Sequence, residues 1–173
     1  MVEFIPIDMN IHKSIITMLN DEYFNWVATQ FSEKYNLDIF SVLKQNVQEY
    51  AENSVAELES YIPPNGNCYL MQMSGKIAGM GAIRKLHEKI GEIKRMYIRP
   101  EFRGNGLGRE LLQQLLKDSM ELDFSTIRLD TVRFMTVAQN LYRSAGFIER
   151  EEYPESEIPS HLRHMWLFFE KSV

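Results

Sequence analysis

Cysteine is almost absent from this chain. Cys68 stands alone, so no internal disulfide can form, and a cytoplasmic protein is expected. No apolar run approaches the roughly 18 residues of a membrane-spanning helix, so no membrane partner is expected. Met1-Val-Glu-Phe-Ile-Pro6 has neither the basic head nor the long apolar core of a signal peptide. Excess positive charge is also missing. A formal net charge of −5 argues against a nucleic-acid binder held by bulk electrostatics. The 4 histidines show no ligand spacing with cysteine or clustered carboxylates, so no metal is expected. There is no repeat, no low-complexity tract and no linker that would divide the 173 residues. With 45% hydrophobic and 25% charged residues, a single domain over residues 1–173 with a sizeable core is expected.

Charge is unevenly spread. Residues 1–60 hold ten acids against Lys13, Lys34 and Lys44, whereas residues 84–109 hold eight basic residues against three acids. An acidic front suits a cationic acceptor and a basic middle suits a polyanionic ligand; solvated helix faces would give the same acidic front. The periodicity predicts a strand over Val2 to Ile7, a helix from Asn10 through Phe31, and a second helix from Ser41 to about Tyr61. Pro63-Pro64-Asn65-Gly66 is a loop. Strand patterns follow at Cys68 to Met73 and Lys76 to Leu86, joined by Ser74-Gly75, with Gly79 and Gly81 marking a bulge. Further strands are expected at Glu92 to Ile98, Thr126 to Thr131, Phe147-Ile148 and Met165 to Phe169. A small helix over Thr136 to Ala145 would share Val137, Ala138, Leu141, Tyr142 and Ala145 on one face, with Gly146 as its left-handed cap. The fold class is α/β, with a mixed, mainly antiparallel central sheet flanked by helices.

The rest is organised around Arg99 to Leu122. Gly104, Gly106 and Gly108 alternate, and Leu107, Leu111, Leu112, Leu115, Leu116 and Met120 then repeat at helical spacing. A glycine loop opening a helix presents backbone N–H groups and the positive end of the helix dipole to a phosphate. Arg103 and Arg109 flank it. A kinase-type loop would need Lys-Ser/Thr at its end, and a dinucleotide fingerprint would need glycine where Arg109 stands. What remains is Arg-x-x-Gly-x-Gly, read as Arg103, Gly106 and Gly108.

That motif resembles the pyrophosphate-binding signature of the GNAT superfamily of N-acetyltransferases. Ala138-Gln-Asn-Leu-Tyr-Arg-Ser-Ala-Gly-Phe147 resembles the family's second cofactor motif, and the separation of the two also matches. The resemblance covers nearly the whole chain and implies the GNAT fold with acetyl-CoA as acetyl donor. It implies that backbone groups of Met96, Tyr97 and Ile98 pair with the pantetheine arm, with the Met96 N–H available to polarise the thioester carbonyl. Loop amides from Gly104 through Asn105, Gly106, Leu107 and Gly108 to Arg109 would hold the pyrophosphate, with Arg103 beside it. Asn140 would hydrogen-bond the cofactor arm. Arg143 would touch the 3′-phosphate or be a surface charge. Tyr142 is the expected general acid and Glu92 the expected base, the alternative for Glu92 being an ion pair with Lys94 or an arginine.

The implied reaction moves an acetyl group to a primary amine of a small molecule, polyamine or amino acid-like, by direct attack in a ternary complex. A peptide or protein N-terminus or a lysine is the alternative acceptor, and a non-catalytic acyl-CoA sensor is the alternative of another class. Tyr23, Phe24, Trp26, Phe31 and Tyr35 would line a site or pack the core. Trp166, Phe168 and Phe169 would pack a homodimer interface.

Overall fold

The computed structural model describes residues 1–173. Its seven strands are β1 (Val2–Pro6), β2 (Gly66–Met73), β3 (Lys76–His87), β4 (Ile90–Ile98), β5 (Thr126–Val132), β6 (Ile148–Arg150) and β7 (Trp166–Ser172). They form one sheet in the order β1-β2-β3-β4-β5-β7-β6, antiparallel throughout except for the β4–β5 pair. Its helices are α1 (Met9–Tyr35), α2 (Ile39–Val42), α3 (Val47–Leu58), α4 (Leu107–Glu121) and α5 (Thr136–Ser144). The β2–β3 hairpin turns at Ser74 and Gly75, with φ of 52° and 77°, the sign of twist that suits a two-residue hairpin loop.

The helices cover both faces of the sheet. On one face Ile16 and Leu19 of α1 and Val55 and Leu58 of α3 meet Leu70, Met80 and Ala82 of the sheet. On the other, Leu107, Leu111, Leu112 and Leu115 of α4 meet Met71, Ala78, Ile83 and Ile93. Each fully buried leucine contributes about 1.5–3 kcal/mol, so this apolar stripe holds the helix to the sheet. Gly81 is the point of closest approach: a Cβ there would meet three atoms of Leu111 at 2.9–3.1 Å.

Four expectations need correction. The single helix expected over Ser41 to Tyr61 is broken after Val42, where Lys44 takes a φ of 56° and Asn46 starts α3. Asn46 and Glu49 form a reciprocal capping box, a sequence signal stronger than the apolar period that runs across it. Met120 is 63% exposed, because Asp118 and Ser119 occupy the buried side of the last turn of α4. In α5, Val137 is 83% exposed and Gln139 is buried in its place, its amide donating to the carbonyls of Val132 and Arg133 at the end of β5. Phe168 and Phe169 lie inside the core, and the Trp166 ring packs at a tilt against Phe31 with ring centroids 5.5 Å apart. Phe168 and Phe169 are therefore not surface groups for a homodimer, whereas Trp166 is half-buried.

The feature that positions the site is a divergence in the middle of the sheet. β4 pairs with β5 only from Ile90↔Thr126 to Glu92↔Arg128, after which the two strands part. Opposite that gap the β3–β4 ladder carries a bulge, where Arg95 and Met96 face Gly81 alone. Arg95 has a φ of 56°, in the left-handed region that non-glycine residues rarely adopt. This strained residue lies where the sheet opens.

Candidate active site

The loop between β4 and α4 is a set of unused donors. The backbone N–H groups of Gly104, Asn105, Gly106, Leu107 and Gly108 have no acceptor within the protein. The first turn of a helix leaves such groups unpaired, and here the preceding loop adds its own. Gly104 and Gly106 have φ of 81° and 79°, and a Cβ on either would meet nothing within 4 Å. Donors beside open space, at the positive end of a 15-residue helix, form a cradle that fits a pyrophosphate. Two details differ from the expected set. The Arg109 amide donates to Gly106 O at 2.9 Å and is not free, although its side chain is exposed and without an ion-pair partner. Arg103 Nε donates to Ile98 O at 2.9 Å, and its guanidinium lies over the rings of Trp26 and Tyr97, 5.5 and 5.9 Å from their centroids. Arg103 thus braces the end of β4, and the Ile98 carbonyl already has a donor.

Met96 and Ile98 are half-buried on the stretch of β4 that has no β5 partner, so an extended ligand can lie alongside this edge. The Tyr97 ring is buried between the sheet and α1, and its hydroxyl donates to Glu22, 3.4 Å away. Glu22 also takes two hydrogen bonds from Arg99, at 3.0 and 2.9 Å, which ties α1 to the end of β4.

Across the gap stands α5. The Tyr142 ring packs against Phe147 and Phe169, and its hydroxyl makes no hydrogen bond to the protein. Burial, with Tyr23 and Asp130 nearby, pushes the phenol well above its ordinary value. A phenol so placed stays protonated at neutral pH and can donate. Asn140, two residues earlier on the exposed side of α5, has no protein partner. Arg143 is engaged: it pairs with Glu149 at 3.1 Å and lies over the Phe169 ring.

On the α1–α3 face the gap opens into a cavity of about 280 Å³ between β4, β5, the helices and the loop before β7. Aromatic and aliphatic side chains from α1, α2 and α3, among them Tyr23, Phe24, Phe31, Phe40 and Tyr50, make most of its wall. Its polar end is formed by Lys94 and Arg95 of β4, Asp130 of β5 and Glu157. Trp26 and Tyr35 are outside the lining.

Glu92 does not line this cavity. It is fully buried, and both oxygens are taken: Oε2 by Arg84 at 2.7 and 2.8 Å, Oε1 by the Tyr153 hydroxyl at 2.7 Å. Arg84 also pairs with Glu157, which in turn receives Lys94 at 3.0 Å. Arg95 donates to Ser54 at 2.7 Å and pairs with Glu57 at 3.3 Å. Burial raises the carboxyl of Glu157, but Lys94 and Arg84 outweigh that and hold it below the ordinary range.

Asp130 is the residue that sequence reasoning missed. It has no hydrogen-bond or ion-pair partner, and its Oδ2 is enclosed. Burial raises its carboxyl, only partly offset by Lys94. The sequence signal was slight: on a strand whose Ile127, Leu129 and Thr131 face the core, Asp130 is the acid on the opposite face just before the strand ends. Cys68 is buried, which pushes its thiol up to about 12 and leaves it unsuited to act as a nucleophile.

The geometry has counterparts among known proteins. The family model described as Acetyltransferase (GNAT) family matches residues 20–147. An uncharacterized N-acetyltransferase of Schizosaccharomyces pombe is 30% identical over 156 residues, covering 87% of this chain and 91% of that protein. Another from Dictyostelium discoideum is 40% identical over 65 residues, which are 38% of this chain but 30% of that longer protein. Among solved structures, the PaiA N-acetyltransferase of Thermoplasma acidophilum in complex with coenzyme A is similar, with a TM-score of 0.70 and 14% identity over 100% of this chain and 99% of that one.

Proposed function

The chain belongs to the GNAT family of acetyltransferases, and from that premise we propose that it transfers the acetyl group of acetyl-CoA to a primary amine of a small molecule. Residues 1–173 act as one N-acetyltransferase domain, and the lone buried Cys68 suits a cytoplasmic setting. The observation that carries the reading is the meeting of three things at one opening in the sheet. These are a free-donor loop, an unpaired strand edge and an aromatic cavity whose lining includes Tyr23 and Asp130, neighbours of the unbonded Tyr142.

Acetyl-CoA supplies an activated acetyl thioester. The amides of Gly104 to Gly108 hold its pyrophosphate, and the exposed Arg109 side chain adds positive charge. Asn140 and the free edge of β4 at Met96 and Tyr97 align the pantetheine arm, and the Met96 N–H, beside the bulge, polarises the reacting carbonyl. The amine enters from the cavity and attacks directly, so proximity in a ternary complex supplies much of the acceleration. Tyr142 gives its proton to the sulfur as it leaves. Glu92, clamped by Arg84 and Tyr153, acts on the reaction only by holding the charged wall of the cavity in place.

The experiment is coenzyme A release, followed with a thiol reagent, across polyamines, free amino acids, simple monoamines and N-terminal peptides. Turnover is expected with small amines, and Tyr142→Phe should lower kcat by about 10²–10⁴-fold with the acetyl-CoA KM nearly unchanged. Turnover of peptides alone would replace the acceptor class, and tight acetyl-CoA binding without any turnover would replace the enzyme by a sensor.

A further inference from the structure

The charged groups around the polar end of the cavity are almost matched. Arg84, Lys94 and Arg95 contribute three cations; Glu57, Glu92 and Glu157 contribute three anions, and each of these six has an ion-pair partner among the others. Asp130 is the seventh charge and the one left over. It lines the cavity, Lys94 attracts it without a hydrogen bond, and no group within the protein satisfies its buried oxygen. A buried carboxylate without a partner is costly, so such a group marks a place where a ligand completes the arrangement. Beyond this polar end the wall is aromatic and aliphatic apart from Gln45, with no further unpaired acid or base.

We propose that the acceptor is a primary monoamine with an apolar, ring-sized body and no carboxylate, its ammonium received by Asp130. The inference rests on the acetyltransferase reading above and narrows its acceptor. An α-amino acid would bring a carboxylate into a site whose cations, Lys94 and Arg95, are already paired. A polyamine would place its second ammonium against aromatic rings without a carboxylate to meet it. A single ammonium restores charge balance, and the apolar body replaces water along the Tyr23, Phe24 and Phe40 wall. A cavity of about 280 Å³ is small, which suits one ring and a short chain.

The same carboxylate can serve the chemistry. Asp130 takes one proton from the bound ammonium, freeing the nitrogen lone pair. As the C–N bond forms, the C–S bond of the donor breaks. Tyr142 protonates the departing sulfur and recovers the second proton from the nitrogen, and Asp130 later releases its proton to solvent. Burial favours the protonated form of Asp130, so it accepts that first proton readily.

The test compares 2-phenylethylamine, phenylalanine and 1,4-diaminobutane as acceptors for the parent, Asp130→Asn and Asp130→Glu. For the parent, kcat/KM with 2-phenylethylamine should exceed that with either other amine by at least tenfold. Asp130→Asn should lose at least a hundredfold with 2-phenylethylamine, raising KM as well as lowering kcat, and Asp130→Glu should recover part of that loss. The thermal midpoint of Asp130→Asn at pH 7 should be no lower than the parent's, because the substitution removes an unpaired buried charge. A parent that prefers phenylalanine or the diamine overturns the acceptor while leaving the acetyltransferase reading intact. Full activity of a folded Asp130→Asn overturns the role of Asp130. Absence of turnover with every amine, despite acetyl-CoA binding, overturns both readings.

Discussion

Glu92 and Asp130 are carboxylates on adjacent strands with opposite surroundings. Glu92 is enclosed by an arginine and a tyrosine that satisfy both of its oxygens, whereas Asp130 faces a cavity with none satisfied. The sequence pointed to Glu92 because it begins the strand that leads to the phosphate loop. Which acid is clamped and which is open depends on Arg84, opposite Glu92 across the β3–β4 hairpin, and on Tyr153 and Glu157 of the loop before β7, remote from Glu92 in the chain. Glu92→Gln removes one of the two carboxylates that Arg84 pairs with and leaves it Glu157 alone. It should destabilise the protein by about 1.5–3 kcal/mol, read as a lower urea midpoint, without removing a limb from the pH–rate profile. A stable Glu92→Gln that loses the alkaline rise of activity would make Glu92 the base after all. Tyr142, by contrast, was legible as a candidate acid from its motif, and its free hydroxyl is what that role requires.

At the level of elements, the strand–loop–helix unit could be read almost residue by residue, because glycine spacing and an apolar 3.6-residue period are local signals. The amide set came out one residue shorter than expected, since Arg109 already donates to Gly106 as α4 begins. Gly106 holds the left-handed N-cap position of that helix. Gly106→Ala should cost about 1–2 kcal/mol for the positive φ. It should also weaken coenzyme A binding in calorimetry by at least tenfold, since the new methyl group points into the ligand's space. An unchanged Kd would mean that the pyrophosphate lies elsewhere. The α2–α3 break was less legible. An apolar period continues through it, and the reciprocal bonds of Asn46 and Glu49 are recognisable only when the capping residues are weighed against that period.

For the whole molecule, the proposed donor site joins parts that fold from distant stretches: β4 and α4 on one side of the gap, α5 on the other. A ligand spanning them stabilises the folded state by mass action. Acetyl-CoA at 100 times its Kd should add about 2.7 kcal/mol. For a chain of 173 residues that raises the thermal midpoint by about 5–10 °C. A shift below about 1 °C at saturation would mean that the loop and α5 are not bridged. No helix is long and apolar enough to cross a membrane.

What the amino-acid order by itself determined was what local periodicity encodes: the element order, the mixed sheet, the glycine cradle and the tyrosine of the second motif. Each depends on residues within a turn or a strand of one another. What only the tertiary structure decided was the partnering of charges. Lys94, Arg95, Asp130 and Glu157 come from two strands and a loop, and they meet because β4 and β5 part after Glu92 and a bulge turns Arg95 aside. Ion pairing acts through space and has no period along the chain, so the one carboxylate left without a partner became visible only in the folded molecule.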